Sequence, residues 1–269
     1  MAIAVNTSPN LPTRVLIMPS SVNLNPHAGS VPGAEADGLV WPRLIKGTLI
    51  ERYKPFLADV RLGNGHVVTV HCPNSGSMAG CCEPGRPVYI SRSKNPKRRL
   101  PYTWEMIEMA TSLVGVNTLV PNRLVKQTLI EGKIEALSGY ERVSSEVKCS
   151  PHSRLDLALD NSDGSRCFIE VKNCTLVEDG IAYFPDAVTA RGLKHLVELQ
   201  EQVRLGNRGV IFFLIQRMDS SVFRPADHID PAYGRELRRA VTNGVEAIVY
   251  DVHITPERIT LNRRIPCEL

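Results

Sequence analysis

The hydrophobic pattern changes near Asn117, and this change is the strongest constraint on the fold. Before it, short alternating or β-branched segments are separated by Gly and Pro, and no long helical pattern occurs. Five strands are predicted there, over Leu44–Tyr53, Phe56–Leu62, His66–His71, Pro87–Ser91 and Tyr102–Met109. Five short strands in about seventy residues favour a small barrel of the OB type, and an SH3-like barrel or a plain meander fits the same pattern.

After Asn117, amphipathic helices alternate with strands. Helices are predicted over Asn122–Glu131, Arg191–Leu205 and Ala232–Thr242, and strands over Arg142–Lys148, Arg154–Asp160, Cys167–Lys172, Gly209–Gln216 and Val245–Val252. The order helix, three strands, helix, strand, helix, strand is typical of a mixed α/β domain. We therefore predict an α+β protein of two domains, with an OB-like barrel over residues 41–112 and an α/β domain over 113–269. Residues 1–40, rich in Pro, Ser, Asn, Gly and Ala, are predicted to be a mostly disordered extension.

Composition excludes several classes of protein. The 269 residues are 43% hydrophobic and 22% charged, which is typical of a globular chain rather than a disordered one. No apolar run approaches the length of a membrane span, and the start of the chain lacks a secretory signal pattern. The seven cysteines form no CxxC pair. A reduced, cytoplasmic protein without membrane contact is the simplest interpretation.

The formal net charge of +4 is unevenly distributed. Residues 42–110 hold eleven basic and five acidic residues, so the predicted barrel carries the whole excess. The loop between its last two strands contains four basic residues, Lys94, Lys97, Arg98 and Arg99. In OB-like barrels this loop frames the oligonucleotide groove, although a basic excess alone is more often a solubilising face.

A second barrel segment, His71–Met78, combines Pro, Asn, Ser and Gly in a tight turn. Such a turn can present backbone N–H groups and polar side chains to a phosphate or a base. The candidate binding residues in it are His71, Asn74 and Ser77. A purely structural turn is the alternative, and the segment has no second His or Cys at a spacing suited to zinc.

Two carboxylates and a lysine are the candidates for catalysis. Alternation along Arg154–Leu159 places the leucines on one face of a strand and Asp156 on the other. In Phe168–Lys172, Glu170 and Lys172 share a face. If these strands pair, the two carboxylates converge and repel each other unless a cation or a proton lies between them. Mg²⁺ or Mn²⁺ prefers such oxygen ligands and can activate water for attack on a phosphate, with the lysine assisting.

Further candidates surround this set. Glu146, on the preceding strand, would supply a third metal-binding carboxylate, and Gln216 would lie near the same place at the end of another strand. Thr189 and Asp230 are predicted N-caps, and phosphate is favoured at the start of the helix that follows Thr189. The basic residues there are Arg191, Lys194 and His195. Taken singly, an E-x-K strand is more often a solvated face with an ion pair, and a charged outer helix face is an equal alternative for the basic residues.

Several longer blocks resemble the sugar fermentation stimulation protein A family. These blocks are HCPNSGSM, SRSKNPKRRLPYTWE, GVNT with PNRLV, SRLDLAL, FIEVKNCTLVED, FPDAVTARGLKHL and ADHIDPAY. The resemblance runs from about Leu44 to the C-terminus. It implies an N-terminal OB-fold followed by a domain similar to the PD-(D/E)XK nucleases, with Asp156, Glu170 and Lys172 as the motif residues. Leu155 replaces the motif proline, and the acidic residue that relatives often carry on the first helix has no certain counterpart.

The resemblance also implies DNA binding, largely without sequence preference, and a link to sugar (maltose) metabolism. Two hypotheses follow. In one, the basic barrel holds DNA, or single-stranded nucleic acid or RNA, while a Mg²⁺ or Mn²⁺ site cleaves it. In the other, the protein is a DNA-binding regulator whose nuclease-like domain has no turnover. The oligomeric state is open, with a homodimer among the alternatives.

Overall fold

The computed structural model describes residues 37–150 and 153–269, and the prediction for residues 1–36 lies outside this range. Asp37–Leu269 forms one unit in which two domains are in contact. Within the described residues, no helix has the length and apolar character required to cross a bilayer. All seven cysteines are free thiols.

The first domain is a closed barrel of five strands. After a two-residue strand, β1 (Leu39–Val40), the barrel strands are β2 (Leu44–Tyr53), β3 (Leu57–Leu62), β4 (Val67–His71), β5 (Pro87–Arg92) and β6 (Tyr102–Glu108). They pair in the order β4, β3, β2, β5, β6, and His71 of β4 pairs with Thr103 of β6 to close the barrel. A short strand, β7 (Leu113–Gly115), pairs with β6 in antiparallel orientation. The predicted OB-type barrel is confirmed, and its interior is filled by apolar side chains such as Leu49, Val70 and Trp104.

The second domain contains three α-helices, α1 (Val120–Ile130), α2 (Ala190–Arg204) and α3 (Pro231–Thr242). A 3₁₀ turn spans Glu135–Leu137. The strands are β8 (Arg142–Ser150), β9 (Ser153–Asp160), β10 (Arg166–Cys174), β11 (Leu176–Glu178), β12 (Ile181–Phe184), β13 (Arg208–Ile215), β14 (Val222–Pro225), β15 (Glu246–Ile254) and β16 (Arg258–Arg264). The predicted fold class, an OB-like barrel followed by a mixed α/β domain, is confirmed.

A seven-stranded mixed sheet organises the second domain in the order β1, β16, β15, β13, β10, β9, β8. On one face, α1 packs through Leu124 and Val125 against sheet residues such as Ile169. On the other face, α2 and α3 pack through Leu196 and Leu237. A separate small sheet pairs β11, β12 and β14. The sheet is therefore buried on both faces, which explains the continuous apolar character of β13.

Helix starts follow the predicted capping residues. The Thr189 hydroxyl accepts from the backbone N–H of Gly192 at 3.0 Å, which fixes the start of α2. Asp230 caps α3 by accepting from Tyr233 N at 3.0 Å. Each side chain satisfies an N–H group that the first helical turn leaves unpaired, so the local sequence determines where both helices begin.

The alternation along β9 is interrupted at Asp156. Leu157 packs in the core beneath α1, whereas Leu155 packs in the core beneath α2 and α3. The prediction that these leucines share one face is therefore wrong for Leu155. In the neighbouring strand β8, Glu146 stands between the pairs Ser145–Leu157 and Val147–Leu155 and adopts a left-handed backbone with φ of 51°. The two-residue alternation of side chains is thus interrupted at the same level in both strands.

Arg217 joins the two domains. Its guanidinium is buried and donates to the carbonyl oxygens of Gly80 in the barrel domain (3.3 Å) and Thr175 in the α/β domain (2.9 Å). Asp219 accepts two further bonds from it at 2.6 Å each. Arg217 therefore links the two domains, since it donates to a carbonyl group from each of them while Asp219 pairs with its buried charge.

We expect Arg217→Ala to destabilise the protein by about 3 kcal/mol, because it leaves a half-buried carboxylate without its ion-pair partner and two carbonyl groups without their donor. For a domain of this size the melting temperature should fall by about 6–12 °C, measurable by thermal unfolding. Arg224→Ala is the matched control, since Arg224 pairs with Glu268 on the surface and its loss should leave the melting temperature nearly unchanged. Equal melting temperatures for the two variants would contradict the role of Arg217.

Candidate active site

Asp156 lies at the point where β9 and β10 stop pairing. The last paired residues are Leu157 and Ile169. One carboxylate oxygen of Asp156 accepts from the backbone N–H of Val171 at 2.8 Å, and the other accepts from Asn122 Nδ2, at the start of α1, also at 2.8 Å. The carboxylate is thus held by a strand and a helix, with its orientation fixed. Sequence analysis did not identify Asn122, although it lies within the PNRLV block.

Glu170 and Lys172 extend from the same face of β10. Lys172 Nζ donates to Glu170 Oε1 at 2.7 Å and lies 2.9 Å from His195 Nδ1 of α2. His195 Nδ1 also contacts Glu170 Oε1. Glu170 and His195 are buried, so these contacts are shielded from solvent. Lys172 is therefore held between the carboxylate and the imidazole.

His195 does not lie where it was predicted. It was expected with Arg191 and Lys194 on a phosphate-binding helix face, whereas its side chain is only 6% exposed and points at Glu170. Arg191 and Lys194 are exposed, and Arg191 Nε donates to His195 Nε2 at 3.4 Å. Successive residues of a helix project in different directions, so His195 faces the sheet while its neighbour Lys194 faces solvent.

The two carboxylates have opposite pKa shifts. Burial, together with the nearby charge of Glu170, raises the pKa of Asp156 to about 6. Burial also acts to raise the pKa of Glu170, but the hydrogen bond from His195 and the charge of Lys172 outweigh it and lower that pKa. Near neutral pH both groups are therefore ionised and close enough to repel each other, which is the charge arrangement that a cation relieves.

The donor set fits a hard divalent cation. Glu170 Oε2 is buried and accepts no hydrogen bond from any residue that the structure describes. An unpaired buried carboxylate oxygen is costly unless a cation or water fills its coordination. Together with the carboxylate of Asp156 it offers oxygen ligands of the type that Mg²⁺ and Mn²⁺ prefer. Over residues 37–150 and 153–269, no group of three or more His, Cys, Asp or Glu side chains is arranged to hold a metal.

Glu146 stays a predicted third ligand. It lines the same cavity as Asp156 and Glu170, and its side chain is exposed. Its left-handed backbone is unusual for a glutamate and interrupts β8 beside Asp156. Backbone conformations of this kind concentrate at functional sites.

A cavity of about 490 Å³ contains these groups. The residues that line it come from four regions. They are the barrel loop Asn74–Gly76, the start of α1 with Leu119 and Asn122, the strand residues Asp156, Glu170 and Lys172, and the segment Phe184–Arg191 before and within α2. Leu119 and Val188 are 66% and 77% exposed, so two apolar side chains lie beside the charged groups in the wall of the cavity.

Gln216 supports the site from behind. Its fully buried side chain donates to Asn173 Oδ1 at 2.7 Å and to Asn117 O at 3.3 Å. Asn173 lines the cavity immediately after Lys172. The predicted location at the end of β13 is correct, but the side chain contacts the backbone at the domain junction and bonds to Asn173.

The barrel supplies one wall of the cavity through its Asn74–Ser77 loop. Arg52 donates to the carbonyl oxygens of Asn74 (2.9 Å), Gly76 (2.9 Å) and Ser77 (3.1 Å). Asp186, from the second domain, accepts from Met78 N at 3.0 Å and from the Ser77 hydroxyl at 3.4 Å. These bonds hold the loop against the cavity.

Two of the predicted binding residues in this loop have side chains that are already hydrogen-bonded within the protein. Asn74 is 4% exposed, and its Oδ1 accepts from Gly76 N at 2.8 Å, so the side chain shapes the turn. Ser77 is exposed and bonds to Asp186, as described above. His71, at the end of β4, is half-buried.

The basic loop lies on the barrel between β5 and β6, as predicted. Lys94, Lys97 and Arg99 are exposed. Arg98 is half-buried, and its guanidinium donates to Thr103 Oγ1 at 2.8 Å. Three cationic side chains are therefore free to meet a phosphate chain, while Arg98 is anchored to the barrel wall.

Comparison with known proteins identifies the family. Residues 119–258 match the family described as the sugar fermentation stimulation protein RE domain, and residues 50–116 match the SfsA N-terminal OB domain. The chain belongs to the sugar fermentation stimulation protein family. A homolog from Geobacter sulfurreducens is 58% identical over 85% of this chain and 98% of its own length. One from Pelobacter propionicus is 54% identical over 84% of this chain and 97% of its own.

A solved structure shares the fold. The structure of SfsA from Pyrococcus furiosus in complex with Ca²⁺ superposes with a TM-score of 0.80, covering 87% of this chain and 99% of that one at 23% identity. The two-domain architecture is therefore common to this family member and its archaeal relative.

The raised pKa of Asp156 predicts a pH-dependent gain in stability for Asp156→Asn. The pKa of Asp156 is raised from 3.8 to about 6 in the folded protein, so the unfolded chain loses this proton at a lower pH than the folded protein does. The free energy of unfolding therefore falls as pH rises through this range, because the folded state must hold a buried charge. We expect the variant to be more stable than wild type by up to about 3 kcal/mol at pH 8 and by about half of that at pH 5.

Urea unfolding in the presence of a chelator measures this difference. Asp163→Asn is the control, because Asp163 is an exposed residue of the β9–β10 turn and should show no gain at pH 8. Equal stability of wild type and Asp156→Asn at both pH values would contradict the burial of a charged Asp156.

Proposed function

We propose that this protein is a divalent-metal-dependent phosphodiesterase that acts on nucleic acid. The observation that carries the proposal is a pair of carboxylates, the half-buried Asp156 and the buried Glu170, in one cavity with Lys172 hydrogen-bonded to Glu170. A stable fold has no need of a repelling carboxylate pair beside a lysine, and such groups accumulate where chemistry requires them.

Mg²⁺ or Mn²⁺ is the proposed cofactor, held by Asp156 and Glu170 with Glu146 as the candidate third ligand. When bound, such an ion would supply an activated water and would neutralise charge on a phosphate undergoing displacement. The relative from P. furiosus is in complex with Ca²⁺, which prefers the same oxygen ligands, and this supports a divalent site in the present chain.

Lys172 and His195 have distinct proposed roles. Lys172 Nζ is fixed by Glu170 Oε1 and His195 Nδ1, so the side chain can stabilise the charge that develops on the phosphate as an ammonium, or accept a proton from the attacking water as a neutral amine. His195 is a positioning residue, because its contacts are with Glu170 and Lys172. Gln216 positions Asn173 behind them.

We expect Asp156→Ala and Lys172→Ala each to reduce metal-dependent cleavage by at least about 100-fold, because each removes a charge from the reacting centre. Labelled single- and double-stranded DNA and RNA should be incubated with Mg²⁺, with Mn²⁺ and with a chelator, for wild type beside each variant. Binding to the same oligonucleotides in chelator should survive in both variants.

Asp163→Ala is the matched control and should cleave as wild type does, since Asp163 is exposed in a surface turn. Cleavage that persists in pure Asp156→Ala would contradict the assignment. If wild type binds DNA but cleaves none of these substrates with either metal, the alternative is favoured, a DNA-binding regulator of sugar metabolism with a nuclease-like scaffold.

The barrel is the proposed nucleic-acid-binding domain, with DNA as the main partner. Its basic loop carries the exposed side chains of Lys94, Lys97 and Arg99, and the residues around it hold the charge excess of the whole chain. Such a cluster of cations on one surface is the expected footprint of contact with phosphates, and it predicts binding with little sequence preference.

Lys97→Ala/Arg99→Ala should weaken DNA binding and reduce the slope of log K against log salt by about two, because each lost phosphate contact releases one counterion fewer. Fluorescence anisotropy at several salt concentrations between about 50 and about 200 mM measures this slope. Arg204→Ala/Arg239→Ala is the control with the same change in net charge, on the helices α2 and α3, and should leave the slope unchanged. An unchanged slope in the first variant would place the binding surface elsewhere.

A further inference from the structure

An aromatic pair lies on the surface of the barrel. Phe56, in the turn between β2 and β3, is 50% exposed, and its ring stacks on that of His71 with centroids 6.3 Å apart and 28° between the planes. Leu57 pairs with His71 in the β3–β4 ladder, and Cys72 N donates to Phe56 O at 2.9 Å. Backbone hydrogen bonds therefore hold the two residues side by side, and half of the Phe56 side chain stays open to solvent, where a planar ligand can contact it.

Arg98 connects this pair to the basic loop. Thr103, which accepts from Arg98, pairs with His71 where β4 and β6 close the barrel. Burial and the charge of Arg98 lower the pKa of His71, so the imidazole is neutral near pH 7 and presents a ring rather than a charge. Stacking rings beside cationic side chains are the combination that binds the bases and phosphates of a single strand.

The pair also lies next to the cavity that holds the carboxylates. Asn74 in the cavity wall lies three positions after His71, and an extended chain covers three positions in at most about 10 Å. Arg52 Nη2 donates both to Pro55 O, beside Phe56, at 3.0 Å and to Asn74 O at 2.9 Å. One guanidinium therefore ties the turn that carries Phe56 to the wall of the cavity.

We propose that Phe56 and His71 form a base-stacking platform that guides an unpaired nucleic-acid strand into the cavity of Asp156 and Glu170. The proposal rests on the proposed function and adds the substrate class. In a duplex both faces of each base are covered by its neighbours, so only an unpaired base can lie on the exposed ring of Phe56. The next nucleotides of that strand reach the basic loop on one side and the cavity on the other.

The test compares binding of fluorescently labelled single-stranded and double-stranded oligonucleotides of equal length, with a chelator present so that cleavage does not interfere. Phe56→Ala should weaken single-strand binding by about 5- to 150-fold, the loss expected for one stacked base, and duplex binding by less than about twofold. Phe56→Tyr should retain single-strand binding. Val67→Ala is the control, since Val67 is another exposed apolar residue of the barrel, at the opposite end of β4.

Phe56→Trp gives a second, direct measurement. The two native tryptophans, Trp41 and Trp104, are buried, so an indole at position 56 would dominate the exposed tryptophan fluorescence. We expect a single-stranded oligonucleotide, and not the matched duplex, to quench it. Unchanged single-strand affinity in Phe56→Ala, equal losses for strand and duplex, or absence of quenching would each overturn the platform.

The outcomes separate this proposal from the proposed function. Metal-dependent cleavage by wild type together with unchanged single-strand binding in Phe56→Ala would leave the phosphodiesterase intact and reject the platform. Loss of single-strand binding in Phe56→Ala, from a wild type that cleaves nothing, would establish the platform in a protein that only binds.

Discussion

The separation of β9 and β10 beyond Leu157 and Ile169 is the constraint on which the site depends. Where the ladder ends, the carboxylate of Asp156 takes the N–H group of Val171, while Glu170 turns toward α2. A continuous ladder would have satisfied the backbone with carbonyl oxygens and left no room for an oriented carboxylate. This arrangement costs free energy, because it removes two charged carboxylates from water, Asp156 in part and Glu170 almost completely. The contacts of Glu170 with Lys172 and His195 offset part of this cost.

The cavity belongs to both domains. Its carboxylates stand on the central sheet, its helical walls come from the starts of α1 and α2, and the barrel closes one side with the Asn74–Ser77 loop. Arg52 and Asp186 hold that loop from opposite domains, and Arg217 joins the domains close by. A change in the orientation of the barrel would therefore change the shape of the cavity, so the barrel and the carboxylate site are geometrically linked.

The sequence was most informative where a local rule applies. Thr189 and Asp230 fixed two helix starts, because a cap satisfies N–H groups within its own turn. The strands of the barrel followed from alternation and from Gly and Pro punctuation. The short strands β11, β12 and β14 were not predicted, since strands of three or four residues have too little periodicity to distinguish them from loops.

The local pattern failed where contacts between distant segments decide. Alternation placed Leu155 with Leu157, but Leu155 lies on the other face of the sheet, at the level where Glu146 of the neighbouring strand has a left-handed backbone. His195 looked like part of a charged helix face, and its burial against Glu170 depends on how α2 packs on the sheet. Asn122 gave no signal by itself, because its role comes from the approach of α1 to Asp156.

The sequence by itself determined the family, the two-domain fold class and the set of Asp156, Glu170 and Lys172, since these depend on chain pattern and long motif blocks. The tertiary structure decided that His195 contacts that set, that Glu170 Oε2 has no hydrogen-bond partner among the residues that the structure describes, and that the barrel loop completes the cavity. Packing brings together residues that are far apart in the chain. The burial of a side chain, the charges near it and its unpaired hydrogen-bonding groups are therefore defined only once the chain has packed.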